Sequence, residues 1–261
     1  MSPKLSVIIP VYNEAECLKK LLKSLAGQDD LEVVVVDGGS TDGTRRILRA
    51  YPFVKFVAAP MGRGTQLNRG AVEANGDVFW FLHADSELSD GWKEEILRAT
   101  SRQEFVAGCF RLRFDDPHWL LKLFGHLSRW NHPLVTYGDQ GYFMRKEVFE
   151  SIGGFKDYPI LEDLEVQCRL RRRGKWYKSP LSLTTSARRF KAMGILRQQL
   201  KNIGIVGLYL AGASPFWLSR FYKPQSQLKA SDQSASLNPT ALNESLSRKG
   251  RLTKFPFSLR S

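Results

Sequence analysis

The run Leu31-Glu-Val-Val-Val-Val-Asp37 constrains this chain more than any other segment. Four valines in a row leave no polar face, so a strand built from them must be covered on both sides, as in a parallel sheet between helix layers. Leu5–Pro10, Phe53–Ala58 and Val78–Leu82 read as three further strands. Helical segments separate them. One covers about 15–26, with Leu18, Leu21, Leu22 and Leu25 at i, i+3, i+4, i+7. Another follows the capping residues Thr41–Thr44 and ends near Tyr51-Pro52, and a third runs from Thr65 to Ala74. This β-α-β-α-β-α-β order over the first 85 residues predicts an α/β fold with a doubly wound, Rossmann-like, mostly parallel sheet.

Beyond Asp85 the rhythm changes. A helix at about 90–100 leads to a loosely alternating strand, Phe105–Phe114, and an aromatic-rich helix, Trp119–Trp130. A Gly-Asp-Gln-Gly loop (138–141), a short strand Tyr142–Arg145, a helix from Lys146 and a helix Glu162–Arg173 follow. With 261 residues, 43% of them hydrophobic, one domain with a sizeable core is expected. The second half then extends the first sheet instead of folding separately. The last 37 residues, 225–261, are rich in Ser, Asn, Gln and Lys and are expected to be disordered.

Acids stand where an open α/β sheet binds its ligands, at the carboxyl ends of strands. Asp37 ends the second strand and is followed by two glycines and a Ser/Thr cluster. It could accept a hydrogen bond from an imide N–H such as uracil N3, or it could simply cap the next helix. His83-Ala84-Asp85 closes the fourth strand, and at i, i+2 its polar side chains would share one side of an extended chain. Such a pair could hold a divalent ion bridging two phosphates; His83 could equally make a hydrogen bond within the core. Glu162 and Asp163 open a helix, diverge by roughly 100° and so should differ in role, one facing the cleft as a general base. The helix dipole alone would also favour them there. Arg63, in a Gly62–Asn68 loop opening a helix, could reach a base or a diphosphate. Arg172 and Arg173 could offset phosphate charge or be a solvated helix end. A nicotinamide site is not expected, because no G-x-G-x-x-G follows the first strand, and no Walker lysine motif is present.

Charge is unevenly distributed. Residues 166–224 hold 13 Lys and Arg and no Asp or Glu, equal to the +13 net charge of the whole chain. A basic section of this kind suits an anionic partner or a solvated face. It is interleaved with the uncharged run 203–218, which suits lipid better than nucleic acid. As one helix that run would span about 24 Å, short of the roughly 30 Å hydrocarbon core. An interfacial anchor or a lid is expected, with a buried core helix as the other reading. The three cysteines fit no disulfide framework or CxxC site, so a reducing compartment is expected, and no signal peptide is expected at the start.

Taken together these segments resemble a family 2 glycosyltransferase with the GT-A fold, from about Leu5 to Trp176. The resemblance rests on five motifs in order: Val-Ile-Ile-Pro-Val-Tyr-Asn-Glu, Val-Val-Asp-Gly-Gly-Ser-Thr-Asp-Gly-Thr, Asn-Arg-Gly-Ala, Phe-Leu-His-Ala-Asp and Leu-Glu-Asp. Gly-Arg-Gly-Thr-Gln-Leu-Asn and Gly-Asp-Gln-Gly resemble a compact bacterial subgroup associated with radical-SAM and selenium-related genes; carotenoid-glycosylating members look related too. The resemblance implies an inverting transfer from a nucleoside-diphosphate sugar, UDP-linked by expectation, with Mn²⁺ or Mg²⁺. It places Pro10, Tyr12, Glu14, Asp37, Arg63, Asn68 and Ala84 around the nucleotide, with Asp37 on the base and Glu14 on the nucleoside. Asp85, with His83, would hold the metal. Asp163 would be the catalytic base, and Gly138, Asp139, Gln140 and Glu162 would line the acceptor site. The family's middle motif often reads Asp-x-Asp, and His83 stands at its first position here. The Gln-x-x-Arg-Trp motif of processive synthases is absent, since this chain has Arg-Arg-Arg-Gly-Lys-Trp (171–176), so single-residue transfer is expected.

The expected organisation is therefore one domain over 1–224, comprising a nucleotide-binding half (1–85), an acceptor half (86–185) and basic, apolar membrane-proximal helices (186–224). A cytoplasmic protein, peripheral on the inner face of the plasma membrane and acting on a lipid-linked acceptor, follows as an expectation. The alternatives are a nucleotidyltransferase, which would need a basic triphosphate loop after the first strand, and an inactive sugar- or lipid-binding module, which would not need the acids at 37, 85 and 163.

Overall fold

In the computed structural model, residues 4–28 and 30–222 are described, and the tail expected to be disordered lies outside them. The first half is β1 (Leu5–Val11), α1 (Ala15–Leu25), β2 (Leu31–Asp37), α2 (Thr44–Arg49), β3 (Val54–Ala58), α3 (Arg63–Glu73) and β4 (Val78–Phe81). β1 pairs in parallel with β2 and with β4, and β2 with β3. Residues of both faces of β1 and β2 are buried, among them Val7, Ile8, Ile9 and Val33 to Val36. Leu18, Leu21, Leu22 and Leu25 of α1 cover one face, and Leu67 and Ala71 of α3 cover the other. Burying each leucine contributes on the order of 2 kcal/mol. α3 lies so close to the sheet that a Cβ at Gly70 would come within 2.5 Å of Ile8 Cγ2.

The second half is α4 (Trp92–Thr100), β5 (Phe105–Phe114), α5 (Trp119–Leu127), β6 (Tyr142–Arg145), α6 (Lys146–Ser151), α7 (Glu162–Arg171), β7 (Lys175–Thr185), α8 (Arg188–Met193), α9 (Ile195–Leu210) and α10 (Pro215–Leu218). The strands join one seven-stranded sheet in the order β3-β2-β1-β4-β6-β5-β7. β6 runs antiparallel to β4 and β5, while β5 and β7 are parallel. The carboxyl ends of β1, β2, β4, β5 and β7 therefore share one edge with the entry to β6. The loops that carry the acids meet there.

Three expectations need correction. β4 ends at Phe81; after Leu82 N–H donates to Ile8 O, the chain turns, with Ser86 N–H donating to His83 O at 3.2 Å. His83 and Asp85 are thus in a turn, and strand alternation does not set their directions. β7 was not expected, because Pro180 interrupts its pattern; the pairing with β5 shifts register across 179–181, where a proline is tolerated. The uncharged run 203–218 is not one helix. α9 ends at Leu210, Gly212 takes a φ of 99°, and Pro215 starts α10. Among the described residues, no helix is long and apolar enough to cross a membrane.

Candidate active site

At the ends of β1 and β2 the chain is tied into a rigid floor. Asn13 holds φ at 53° and its Oδ1 accepts from the backbone N–H of Thr41 at 2.8 Å and of Asp42 at 3.3 Å. Asn13 N–H donates to Ser40 Oγ at 2.9 Å, and Ala15 N–H to Asp42 Oδ2 at 3.2 Å. Gln66, buried on α3, donates through Nε2 to both Val11 O and Val36 O, closing the gap where the two strands part. The positions of Asn13 and Gln66 inside the quoted motifs were the sequence signal for this floor; their partners were not legible.

Asp37 is fully buried, and both its oxygens are engaged. Oδ1 accepts from Ser40 N–H at 2.9 Å and Oδ2 from Arg45 Nε at 2.6 Å. Burial alone would raise its carboxyl, but the hydrogen bonds from Ser40 and Arg45 outweigh it and hold the group below the usual range. Arg45, its partner, is half exposed. Glu14 follows Asn13, with its N–H donating to Thr44 Oγ1 at 3.0 Å. Its carboxylate and that of Asp85 both face Arg188, at 3.6 and 4.0 Å.

Across the cleft, Arg63 begins α3 and meets both acids that open α7: Nε is 3.2 Å from Glu162 Oε1 and Nη2 is 4.0 Å from Asp163 Oδ2. The two acids diverge in position yet share this partner. Asp163 Oδ2 also accepts from Gly138 N–H at 2.7 Å, and Oδ1 from Leu164 N–H at 2.8 Å. A side chain at Gly138 would displace Arg63 from this position, since its Cβ would stand 1.9 Å from Arg63 Nη2. Burial pushes the Glu162 carboxyl up; Arg63 opposes this and Asp163 adds to it. Burial likewise pushes Asp139 up to about 7, against Arg63 and with the charges of Asp163 and Asp85, and its Oδ1 has no hydrogen-bond partner. Burial, reinforced by Arg63, holds His83 well below the ordinary histidine range, so its ring is neutral.

Pro10, Arg63, His83, Gly138 and Asp163 line one small pocket together with Phe81, Tyr142 and Phe155. Ala84 is buried in the core on the α1 side of the sheet, and Tyr12 is half-buried; neither lines this pocket. Two predicted contacts serve the frame instead. Asn68 donates to Phe155 O at 2.8 Å and accepts from Phe155 N–H at 2.9 Å. Gln140 is fully buried, donating to Val135 O and accepting from Lys178 Nζ. Both fix the loops that carry the pocket. Arg172 and Arg173 stand at the far end of α7, about 15 Å from its acidic head.

The acids here offer hard oxygen donors, which suits Mn²⁺ or Mg²⁺. Asp85 and the partnerless Asp139 Oδ1 fit such an ion, and the neutral His83 ring can donate a lone pair. Among the described residues no three acids, histidines or cysteines gather into a complete ligand set. An ion here would need oxygens from a bound phosphate.

The family model "Glycosyl transferase family 2" matches residues 6–176. The glycosyltransferase AglE of Haloferax volcanii is 37% identical over 179 residues, covering 60% of this chain and 58% of the relative. YdaM of Bacillus subtilis, described as a probable glycosyltransferase, is 28% identical over 196 residues, covering 64% and 46%. This chain thus spans about half the length of these two relatives. A Campylobacter jejuni GalNAc(5)-diNAcBac-PP-undecaprenol beta-1,3-glucosyltransferase is 35% identical over 98 residues, covering 34% and 32%. Among solved structures, the mannosyltransferase PcManGT of Pyrobaculum calidifontis, in complex with GDP-Man and Mn²⁺, superposes with a TM-score of 0.61 at 21% identity, covering 97% of this chain and 82% of that one. TarS of S. aureus in complex with UDP-GlcNAc gives 0.58 at 19% identity, covering 70% and 58%. The α/β sheet described above is the GT-A fold.

Proposed function

From the premise that this chain belongs to glycosyl transferase family 2, we propose that it moves one sugar, with inversion, from a UDP-linked or other nucleoside-diphosphate sugar to an acceptor hydroxyl. The observation that carries this is the meeting of Glu14, Asp37, Asp85 and Asp163 at one sheet edge, with Arg63 and Arg188 among them. The floor beside Asp37 takes the nucleoside, with Glu14 beside it. A divalent ion held by Asp85, with His83 and Asp139 beside it, would neutralise the departing diphosphate. Asp163 is fixed by Gly138 and takes the proton of the acceptor hydroxyl. As the acceptor oxygen bonds to the anomeric carbon from the opposite face, the bond to the diphosphate breaks and its electron pair leaves with the phosphate.

The Gly62–Asn68 and Gly138–Gly141 segments support placement in the compact subgroup associated with radical-SAM and selenium-related genes. A lipid-linked acceptor is supported by the undecaprenol-linked acceptor in the Campylobacter relative's name, and by exposed apolar side chains on α9 and α10. The protein would then act at the cytoplasmic face of the plasma membrane, as a peripheral visitor. Hydrolysis of a panel of nucleotide-sugars, with and without Mn²⁺, tests the central reading. Turnover of one donor is expected; neither binding nor hydrolysis of any donor would remove it.

A further inference from the structure

Arg188 opens α8 directly after β7 and reaches back over the ends of β1 and β4. Its Nη2 lies 3.6 Å from Glu14 Oε2 and 4.0 Å from Asp85 Oδ2, and donates to Cys17 Sγ at 3.1 Å. Nε donates to Ser186 Oγ at 3.1 Å. The carboxylates are sheltered, with side chains 14% and 15% exposed, whereas the arginine side chain is 50% exposed. Both pairings are longer than the roughly 2.7–2.9 Å of a formed charge-assisted hydrogen bond. Elsewhere in this protein such bonds are formed, as between Arg45 and Asp37 at 2.6 Å. Long, half-exposed pairs contribute little to stability, so the two ion pairs by themselves do not account for this arginine.

We propose that Arg188 is a ligand of the donor's diphosphate: it rests on Glu14 and Asp85 while the cleft is empty and shifts to the phosphate oxygens when a nucleoside diphosphate enters. The inference rests on reading the cleft as a nucleotide-sugar site. Charge supplies the reason for the exchange. Once Asp85 turns to a divalent ion and Glu14 to the nucleoside, the guanidinium loses its counter-charges as an anion arrives beside it. A planar guanidinium grips two phosphate oxygens at once, which a lysine cannot do. The side chain can make this move while its backbone stays in place. Ala187 N–H is held by Asp115 Oδ1 at 2.7 Å, and Lys191 pairs with Asp116 at 2.6 Å, so α8 is pinned to the loop after β5.

Calorimetry with UDP, GDP and the matching free nucleosides, in chelator and with Mn²⁺, tests this on wild type, Arg188→Gln and Arg188→Lys. The Gln variant should bind the diphosphate roughly 10- to 100-fold more weakly, with nucleoside affinity unchanged. The Lys variant should fall between the two. Equal diphosphate affinity in wild type and the Gln variant overturns the inference alone, as does an equal loss for nucleoside and diphosphate. Tighter diphosphate binding by the Gln variant overturns it too, by making Arg188 a competitor for the site. Wild type that binds neither diphosphate removes the nucleotide-sugar reading and this inference with it.

Discussion

At the scale of single residues, the proposed roles divide most sharply between Asp85 and Asp163. Asp163 sits at the head of α7, where the dipole favours an anion, and Gly138 N–H and Leu164 N–H fix its carboxylate. Asp163→Asn should keep the shape and one of the two accepted hydrogen bonds, since only the amide oxygen can accept, and lose the base. Donor binding is expected to be unchanged, while transfer falls on the order of 10²–10⁴-fold. Calorimetry beside a turnover assay reads both, and near-normal turnover would remove Asp163 from the role. Asp85→Ala should weaken Mn²⁺-dependent binding of the nucleoside diphosphate far more than binding of the free nucleoside, because the nucleoside floor at Asp37 and Asn13 does not include it. Equal losses would mean that Asp85 supports the fold. The residue types were legible from their motifs, but their partners were not. Arg63 joins Glu162 and Asp163 across 99 and 100 positions, a pairing that only the closed sheet creates.

At the scale of elements, α9 and α10 invite a test of lipid contact. Leu196, Leu200 and Ile203, at i, i+4, i+7, are exposed on α9, followed by Leu208, Leu210, Phe216, Trp217 and Phe221. Their other side packs on the loop before α7 through Ile205 and Leu218 against Ile160, so a surface that meets lipid would adjoin the acceptor side of the cleft. Arg197, Lys201 and Arg220 lie among them. Vesicles rich in anionic lipid should pull the protein down at low salt. High salt should weaken but not abolish this, since apolar insertion is unscreened. Protein that stays in the supernatant at low salt would leave a soluble acceptor as the better choice. The elements β1 to β4 were legible because each is dominated by apolar and β-branched residues and alternates with a helical segment. β7 was not, because Lys178 and Pro180 break its pattern while a bulged pairing with β5 sustains it. The length of α9 escaped too: its apolar stripe begins within the basic stretch, at Leu196, ahead of the uncharged run that drew notice.

At the scale of the whole molecule, stability against pH joins two groups of carboxyls with opposite signs. Burial raises Glu32 and Asp37, but hydrogen bonds to the charged forms outweigh it and leave both below their usual range. For Glu32 these come from Ser6 and Asn75, and for Asp37 from Ser40 and Arg45. Such groups stabilise the fold above their unfolded values, about 4, and that contribution is lost as pH falls through the folded ones. Since Glu32 joins β2 to β1 and Asp37 caps β2 over α2, the parallel half should loosen in acid. Asp139 has the reverse sign. Burial lifts it to about 7, so its stabilising contribution is complete below about 4 and is lost as pH rises toward 7. His83, kept neutral by burial and Arg63, works against Asp139 over the same window, because its unfolded form takes up a proton below about 6.5. The wild-type curve alone therefore cannot isolate Asp139, but a difference can. In chelator, the melting temperature of Asp139→Asn relative to wild type should climb between about pH 4 and pH 7, while both proteins lose stability together below about pH 4. A difference that stays flat from pH 4 to 7 would mean that Asp139 ionises normally, and that the crowding of acids at the sheet edge exacts no stability for the site it builds.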